Sequence, residues 1–88
     1  MMAFESHVSA EFWELYERLP NSIQTTADKQ FALFRQNPLH PSLHLKRVGG
    51  FWSARVTDAY RALAYRSGNV FNWFWIGPHD EYERLVGG

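Results

Sequence analysis

Cysteine is missing from this chain, which removes two classes of chemistry at once: no disulfide framework can staple the fold, and no thiolate can act as nucleophile or metal ligand. Long apolar runs are missing too. No stretch reaches the roughly 18 residues of a membrane span, and the residues up to Ser9 offer neither the basic flank nor the apolar run of a leader, so a soluble, cytoplasmic protein is expected. Charge of one sign is not in excess. Nine cations against nine acids argue against a strongly electrostatic, sequence-independent nucleic-acid binder. A glycine-rich phosphate loop, a Gly-x-Ser-x-Gly elbow and a paired-carboxylate motif are likewise absent. His40 and His44 have the i, i+4 spacing of a helical metal site, but Pro41 between them makes a helix there unfavourable. No metal and no cofactor is therefore expected.

What is present is aromatic. Phe, Tyr and Trp make up 17% of 88 residues, and each ring can bury on the order of 150 to 250 Å², which suits a single small domain with no other staple. Charge is also unevenly placed. Residues 1 to 20 carry Glu5, Glu11, Glu14 and Glu17 against Arg18, whereas residues 43 to 68 carry Lys46, Arg47, Arg55, Arg61 and Arg66 against Asp58 alone. The middle of the chain is a local basic patch.

The patterning predicts an α+β fold. Phe4 to Val8 reads as a short strand. Ser9 is a helix N-cap, with Phe12, Leu15, Tyr16 and Leu19 at amphipathic spacing before the Leu19-Pro20-Asn21 stop. A second helix is expected from Asn21 or Ser22, burying Ile23, Ala27, Phe31 and Phe34 and ending at Asn37-Pro38. The pair makes an αα-hairpin. Leu43 to Val48 then alternates as a half-buried strand would, and Gly49-Gly50 marks a turn. Phe51–Val56, Tyr60–Arg66 and Val70–Ile76 follow as a three-strand antiparallel meander. Val70–Ile76 is apolar at nearly every position and should lie centrally. His79 to Val86 reads as a short final helix.

Three groups in the meander carry possible chemistry. Arg55 and Arg61 flank the Thr57-Asp58-Ala59 turn on adjacent strands, so they either face a phosphate together or pair with Asp58 or a helix glutamate. His79 follows Gly77-Pro78 just past a strand end, where an imidazole can serve as acid or base or simply open a helix. Tyr82 shares a helix face with His79 and is either a site residue or a core aromatic. The Phe71-Asn72-Trp73-Phe74-Trp75 run can stack bases or fill a core.

Taken in order, Leu43-His44-Leu45-Lys46-Arg47-Val48, Trp52-Ser53-Ala54-Arg55-Val56 with Tyr60-Arg61-Ala62-Leu63, and Trp75-Ile76-Gly77-Pro78-His79-Asp80-Glu81-Tyr82 resemble the RelE/ParE superfamily of type II toxin–antitoxin toxins over nearly the whole chain. The resemblance implies a twisted antiparallel sheet packed on an αα-hairpin, with a concave basic face on which Lys46, Arg47 and Arg66 would be RNA contacts. It implies a cognate antitoxin as partner and, in ribosome-dependent members, metal-free mRNA cleavage by attack of a 2′-hydroxyl on the neighbouring phosphate. Carried over by position, Arg61 would stabilise the phosphate, Arg55 would be a second basic group, His79 would stand where the family offers Arg or His, and Tyr82 would approximate a terminal tyrosine. Ser53 stands where ribosome-dependent members often place a further cation. The alternatives are therefore a ParE-like DNA gyrase inhibitor without catalysis and a non-toxic relative that only binds a partner.

Overall fold

A computed structural model of the chain describes residues 4–87. Ser9 caps the first helix as its sequence position requires: its hydroxyl accepts from the Phe12 backbone N–H at 3.2 Å. The elements in order are β1 (Glu5–Val8), α1 (Ala10–Glu17), α2 (Asn21–Gln36), a single 3-10 turn (Pro41–Leu43), β2 (Lys46–Val48), β3 (Phe51–Thr57), β4 (Tyr60–Ser67), β5 (Val70–Pro78) and α3 (His79–Val86). Among the described residues, no helix is long and apolar enough to cross a membrane.

The strands form one five-stranded sheet in the order β1-β5-β4-β3-β2. The β2 to β5 pairings are antiparallel, as the short turns at Gly49-Gly50 and Gly68-Asn69 dictate, with Gly49 and Gly68 at positive φ. β1 pairs with β5 in parallel, so the sheet is mixed. The αα-hairpin carries the chain from β1 on one edge to β2 on the other, and β2 to β4 complete the long connection that this parallel pair needs. β5 is interior, as its apolar run predicts, although the middle position belongs to β4.

Two expectations are corrected. The strand predicted from Leu43 begins only at Lys46, because Leu43 closes the 3-10 turn and is driven into the core at 1% exposure while His44 reverses the chain at φ 44. Phe31, predicted to be buried, is exposed. It stands with Trp13 at the mouth of a cavity of about 80 Å³ between α1, α2 and the sheet, where the hairpin does not close over it.

One main core lies between the helices and one face of the sheet. Phe34 of α2 meets Phe71 and Trp73 edge-on at 5.0 and 5.3 Å, with Ala54, Val56, Ala62, Ala64 and Ile76 around them. Small residues on β3 and β4 leave room for these rings. The Trp73 indole donates to Ser6 Oγ at 3.3 Å, so its polar edge is satisfied. Leu63 and Tyr82 are buried apart from this cluster, and α3 packs against β4 and β5.

Candidate functional site

Strand alternation sends Trp52, Ala54, Ala62, Ala64, Phe71 and Trp73 to the helix side, so their neighbours must face away from α1 and α2. Two irregularities modify that rule. On β5 the register passes from Trp73 opposite Ala64 to Trp75 opposite Leu63, which leaves Phe74 as an extra residue. Ile76 is thereby returned to the core although it lies three residues after Trp73. On β3 the register shifts between Arg55 and Thr57, leaving Val56 as the extra residue beside the turn.

Arg55 and Arg61 are direct cross-strand partners on the face away from α1 and α2, where α3 packs over part of β4 and β5. Like charges placed opposite each other repel unless something intervenes, and here the turn does. Arg55 Nη2 donates to the Asp58 carboxylate in an ion pair. Arg61 Nη1 donates to the turn carbonyls of Thr57, Asp58 and Tyr60, the last two at 3.2 and 3.0 Å. The Arg61 Nε and Nη2 edge has no protein partner among the described residues and remains available to an anion. From behind, Gln30 Nε2 of α2 donates to the Arg55 carbonyl at 3.0 Å and to the Ser42 carbonyl at 3.2 Å, tying β3 to the helix layer.

Gly77 pairs with Arg61 on the other side of β4, extending the row Arg55, Arg61, Gly77 across three strands. The glycine is required by packing. A Cβ there would stand 2.6 Å from Cζ2 and 3.0 Å from Cη2 of Trp75, so the indole lies against the bare backbone beside Arg61. His79 follows at the start of α3, its backbone N–H donating to the Ala59 carbonyl at 2.7 Å, which fixes it against the same turn. Its ring is 5.4 Å from that of Tyr82, and its Nε2 is 3.5 Å from Glu83 Oε1. Tyr82 is 5% exposed and so touches His79 rather than solvent.

The remaining cations fall elsewhere. Lys46 pairs with Ser53 and shares the face of Arg55 and Arg61. Arg47 pairs with Trp52 and Arg66 with Phe71, which places both on the helix-side face at the opposite end of the sheet. The Arg66 guanidinium lies 5.0 to 5.2 Å from the rings of Phe4, Trp52 and Phe71, and its Nε donates to the Gly68 carbonyl at 2.8 Å. Among the described residues no group of three or more His, Asp or Glu side chains gathers as for a metal. His40 instead caps its own 3-10 turn, its Nδ1 accepting from the Ser42 N–H at 3.2 Å. Sequence reasoning read Phe74 and Trp75 only as part of the Phe71 to Trp75 run and Gly77 only within the Trp75 to Tyr82 motif, and it did not single out Phe51 or Tyr65 on the face away from α1 and α2. The Phe51–Tyr65 pairing follows from the hairpin register, but Phe74 joins them through a bulge that no local pattern announces.

No protein-family model and no curated protein matches the sequence. The fold has clear counterparts among solved structures. A chain of the RelB–RelE antitoxin–toxin complex of Methanococcus jannaschii superposes with a TM-score of 0.72 at 11% identity, over 90% of this chain and 96% of that one. A chain of the archaeal RelE–RelB complex of Pyrococcus horikoshii gives 0.70 at 14%, over 88% and 96%. The YoeB/ParE toxin of Agrobacterium tumefaciens gives 0.66 at 16%, over 86% and 99%. The chain therefore has the α+β fold that these RelE and YoeB/ParE proteins share.

Proposed function

We propose that this protein is the toxin of a type II toxin–antitoxin pair and that it cuts mRNA on the ribosome without a metal. The observation that carries this reading is the row of Arg55 and Arg61 on the face away from α1 and α2, with His79 held against the same turn through the Ala59 carbonyl. The fold shared with RelE and YoeB chains supports it. In the reaction, the 2′-oxygen bonds to phosphorus as the bond from phosphorus to the 5′-oxygen breaks. A cyclic phosphate and a 5′-hydroxyl result. One proton leaves the 2′-hydroxyl and another is taken up by the departing oxygen; we assign one of these transfers to His79 and the other to water. Arg61, through its free edge, neutralises charge gathering on the phosphate, since a guanidinium stays cationic throughout. Arg55 joins it when phosphate competes with Asp58. Tyr82, buried against His79, positions the imidazole. Lys46 extends the basic face toward the incoming strand, while Arg47 and Arg66 add positive potential at the far end of the sheet.

The cognate partner is an antitoxin that covers the basic face or the groove of the αα-hairpin, a role consistent with the RelB chains crystallised with RelE relatives. The test is primer extension on a reporter mRNA in a cell-free translation reaction, with Arg61→Ala as control. Translation-dependent cuts that vanish in the variant are expected; intact mRNA under active translation sinks the reading. A second reading, a ParE-like gyrase inhibitor, draws on Ser53, buried at 1% where a further cation would otherwise stand, and on the Arg55–Asp58 pair. It predicts loss of gyrase supercoiling at saturating protein with mRNA left whole. Growth unaffected by overexpression would point instead to a non-toxic relative.

A further inference from the structure

Beside the turns at Gly49-Gly50 and Gly68-Asn69, at the end of the sheet away from Asp58, lies an open pocket of about 340 Å³ lined by Arg47, Gly50, Trp52, Arg66 and Gly68. Its two arginines have no carboxylate partner among the described residues. Arg66 is nonetheless held in place: its guanidinium lies 5.0 to 5.2 Å from the rings of Phe4, Trp52 and Phe71, and its Nε donates to the Gly68 carbonyl at 2.8 Å. Its two Nη groups meet no acceptor among the described residues. Arg47 stands across Trp52 on β2, and its side chain likewise has neither an ion pair nor a hydrogen bond there. Two strand spacings and a two-residue offset separate the two Cα atoms by about 12 Å, so both long side chains reach over the indole.

Charge and topology leave these cations unanswered. Residues 29 to 57 and 59 to 79 contain no carboxylate. Glu5 sits with Val70 on the other face and pairs with His7 at 3.7 Å. α1 sets out from Trp73 and runs antiparallel to α2, as the pairing of Tyr16 with Asp28 requires. α2 returns toward this end, with Gln30 at the Arg55 carbonyl and Phe34 at Phe71, and it carries no acid after Asp28. α3, with Asp80, Glu81 and Glu83, starts at the opposite end of β5 and packs on the other face, over the buried Leu63. Two guanidiniums that share a pocket repel, and a bound anion removes that cost. A carboxylate offers two oxygens in one plane and matches a single guanidinium fork, whereas a phosphate presents oxygens in several directions and accepts from two forks at once. The pocket has room for it: a Cβ at Gly50 or Gly68 would meet nothing within 4 Å.

We infer that Arg47 and Arg66 form a phosphate-binding site, on the opposite face and at the opposite end of the sheet from Arg61. The site does not depend on the RNA-cutting reading. Five residues along β4 put Arg66 about 17 Å from Arg61, with the sheet itself between their side chains. Three rings fix the Arg66 fork before a ligand arrives, which lowers the entropy that a surface arginine loses on binding. Arg47 closes on the phosphate from the far side of Trp52. The group bound is a free phosphate or one from a nucleic-acid backbone, two sources of the same chemistry.

The test is a titration of the nitrogen-15-labelled full chain with pyrophosphate at constant ionic strength, read by NMR at the Arg66 Nε–H and at the Gly50 and Gly68 amides. Saturable shifts of these three signals are expected. Arg47→Ala and Arg66→Met, the latter keeping apolar cover over the rings, should each weaken binding about ten- to a hundredfold, the effect of one lost charge-assisted contact. Arg61→Ala should stay within about twofold of native, and every variant is checked for folding by circular dichroism. Shifts that do not saturate, or binding undiminished in Arg47→Ala, overturn the site. A hexaglutamate peptide that saturates the same signals more tightly than pyrophosphate overturns the assignment to phosphate and gives the pocket to an acidic protein segment. A short RNA duplex names the source: Arg47-dependent binding tighter than that of pyrophosphate means a backbone phosphate, and weaker binding means a free one, with the site upheld in both cases. Arg61-dependent mRNA cutting is measured separately, so the loss of either reading leaves the other standing.

Discussion

The two faces of the sheet are built from the same strands by alternate residues, yet they do opposite work. The helix-side face carries Ala54, Ala62, Ala64, Phe71 and Trp73, all nearly inaccessible, and its polar edge is settled by one Trp73-to-Ser6 hydrogen bond. The face away from α1 and α2 carries Lys46, Arg55, Arg61, Tyr65 and Phe74, none of them buried, together with Ser53 and Leu63, which are. Most of the buried apolar side chains lie on the first face. On the second, Leu63 and Ser53 are buried where α3 packs on β4 and β5, and the side chains around them stay at least partly open to a ligand. Stability and chemistry therefore lie largely, not wholly, on alternate residues of β3 and β4, a parity that the bulge at Phe74 breaks on β5.

The largest break in that comparison should come from Phe34→Ala. It removes a ring packed edge-on against Phe71 and Trp73, and about 3 to 5 kcal/mol of stability should go with it, much of what an 88-residue domain has. Urea unfolding followed by tryptophan fluorescence checks it. Arg61→Ala should do the reverse. Loss of one preformed donor set at the phosphate should slow cutting by about 100- to 1000-fold, while stability falls by about 1 kcal/mol through the lost turn hydrogen bonds. Single-turnover cleavage and the same urea series separate the two effects. Unfolding on the scale of Phe34→Ala would show that the faces are not separable.

Gly77→Ala lies between these cases. The added methyl must displace the Trp75 indole, because the clash is with a rigid ring, and overpacking of this kind costs about 1 to 3 kcal/mol. A changed near-ultraviolet tryptophan signal and reduced cutting are expected together. Unchanged spectra would mean that Trp75 turns aside freely and does not wall the site.

The smallest effect is on the helix layer. The Tyr16 hydroxyl donates to Asp28 Oδ1 at 2.7 Å, and this bond, with burial and the carboxylate charge, raises the phenol above its ordinary value of 10.0. A raised folded-state value means that the protonated form is favoured by folding. The resulting stability is present below pH 10 and is lost as pH climbs through the folded value. Tyr16→Phe should flatten that alkaline fall in a urea series run either side of pH 10, while leaving RNA cutting at neutral pH unchanged.

Much of the helix layer was legible because its signals are local. Ser9 as cap, the Pro20 break and the stop before Pro38 fix α1 and α2 through side-chain capping and proline sterics, which need no tertiary partner. The turns at Gly49 and Gly68 fix the meander in the same way. Phe31 was misread because helical spacing says which residues share a face, not whether a neighbouring helix closes over them. The strand at Leu43 was misread because alternation is shared by a turn that buries one leucine. Arg55 and Arg61 were legible as a pair flanking a short turn, whereas the partners that now hold them, Asp58 and three turn carbonyls, depend on side-chain reach.

The sequence by itself determined the order of elements, the hairpin pairings and the basic character of the meander, since caps, turn glycines and charge are properties of neighbouring residues. Only the tertiary structure decided that β1 returns in parallel to β5, that the Phe74 bulge swings an aromatic out to join Tyr65 and Phe51, and that Arg47 and Arg66 lie on the face away from Arg61. Each of those outcomes depends on register between strands distant in the chain, and a slip of one residue there reverses which face every side chain meets.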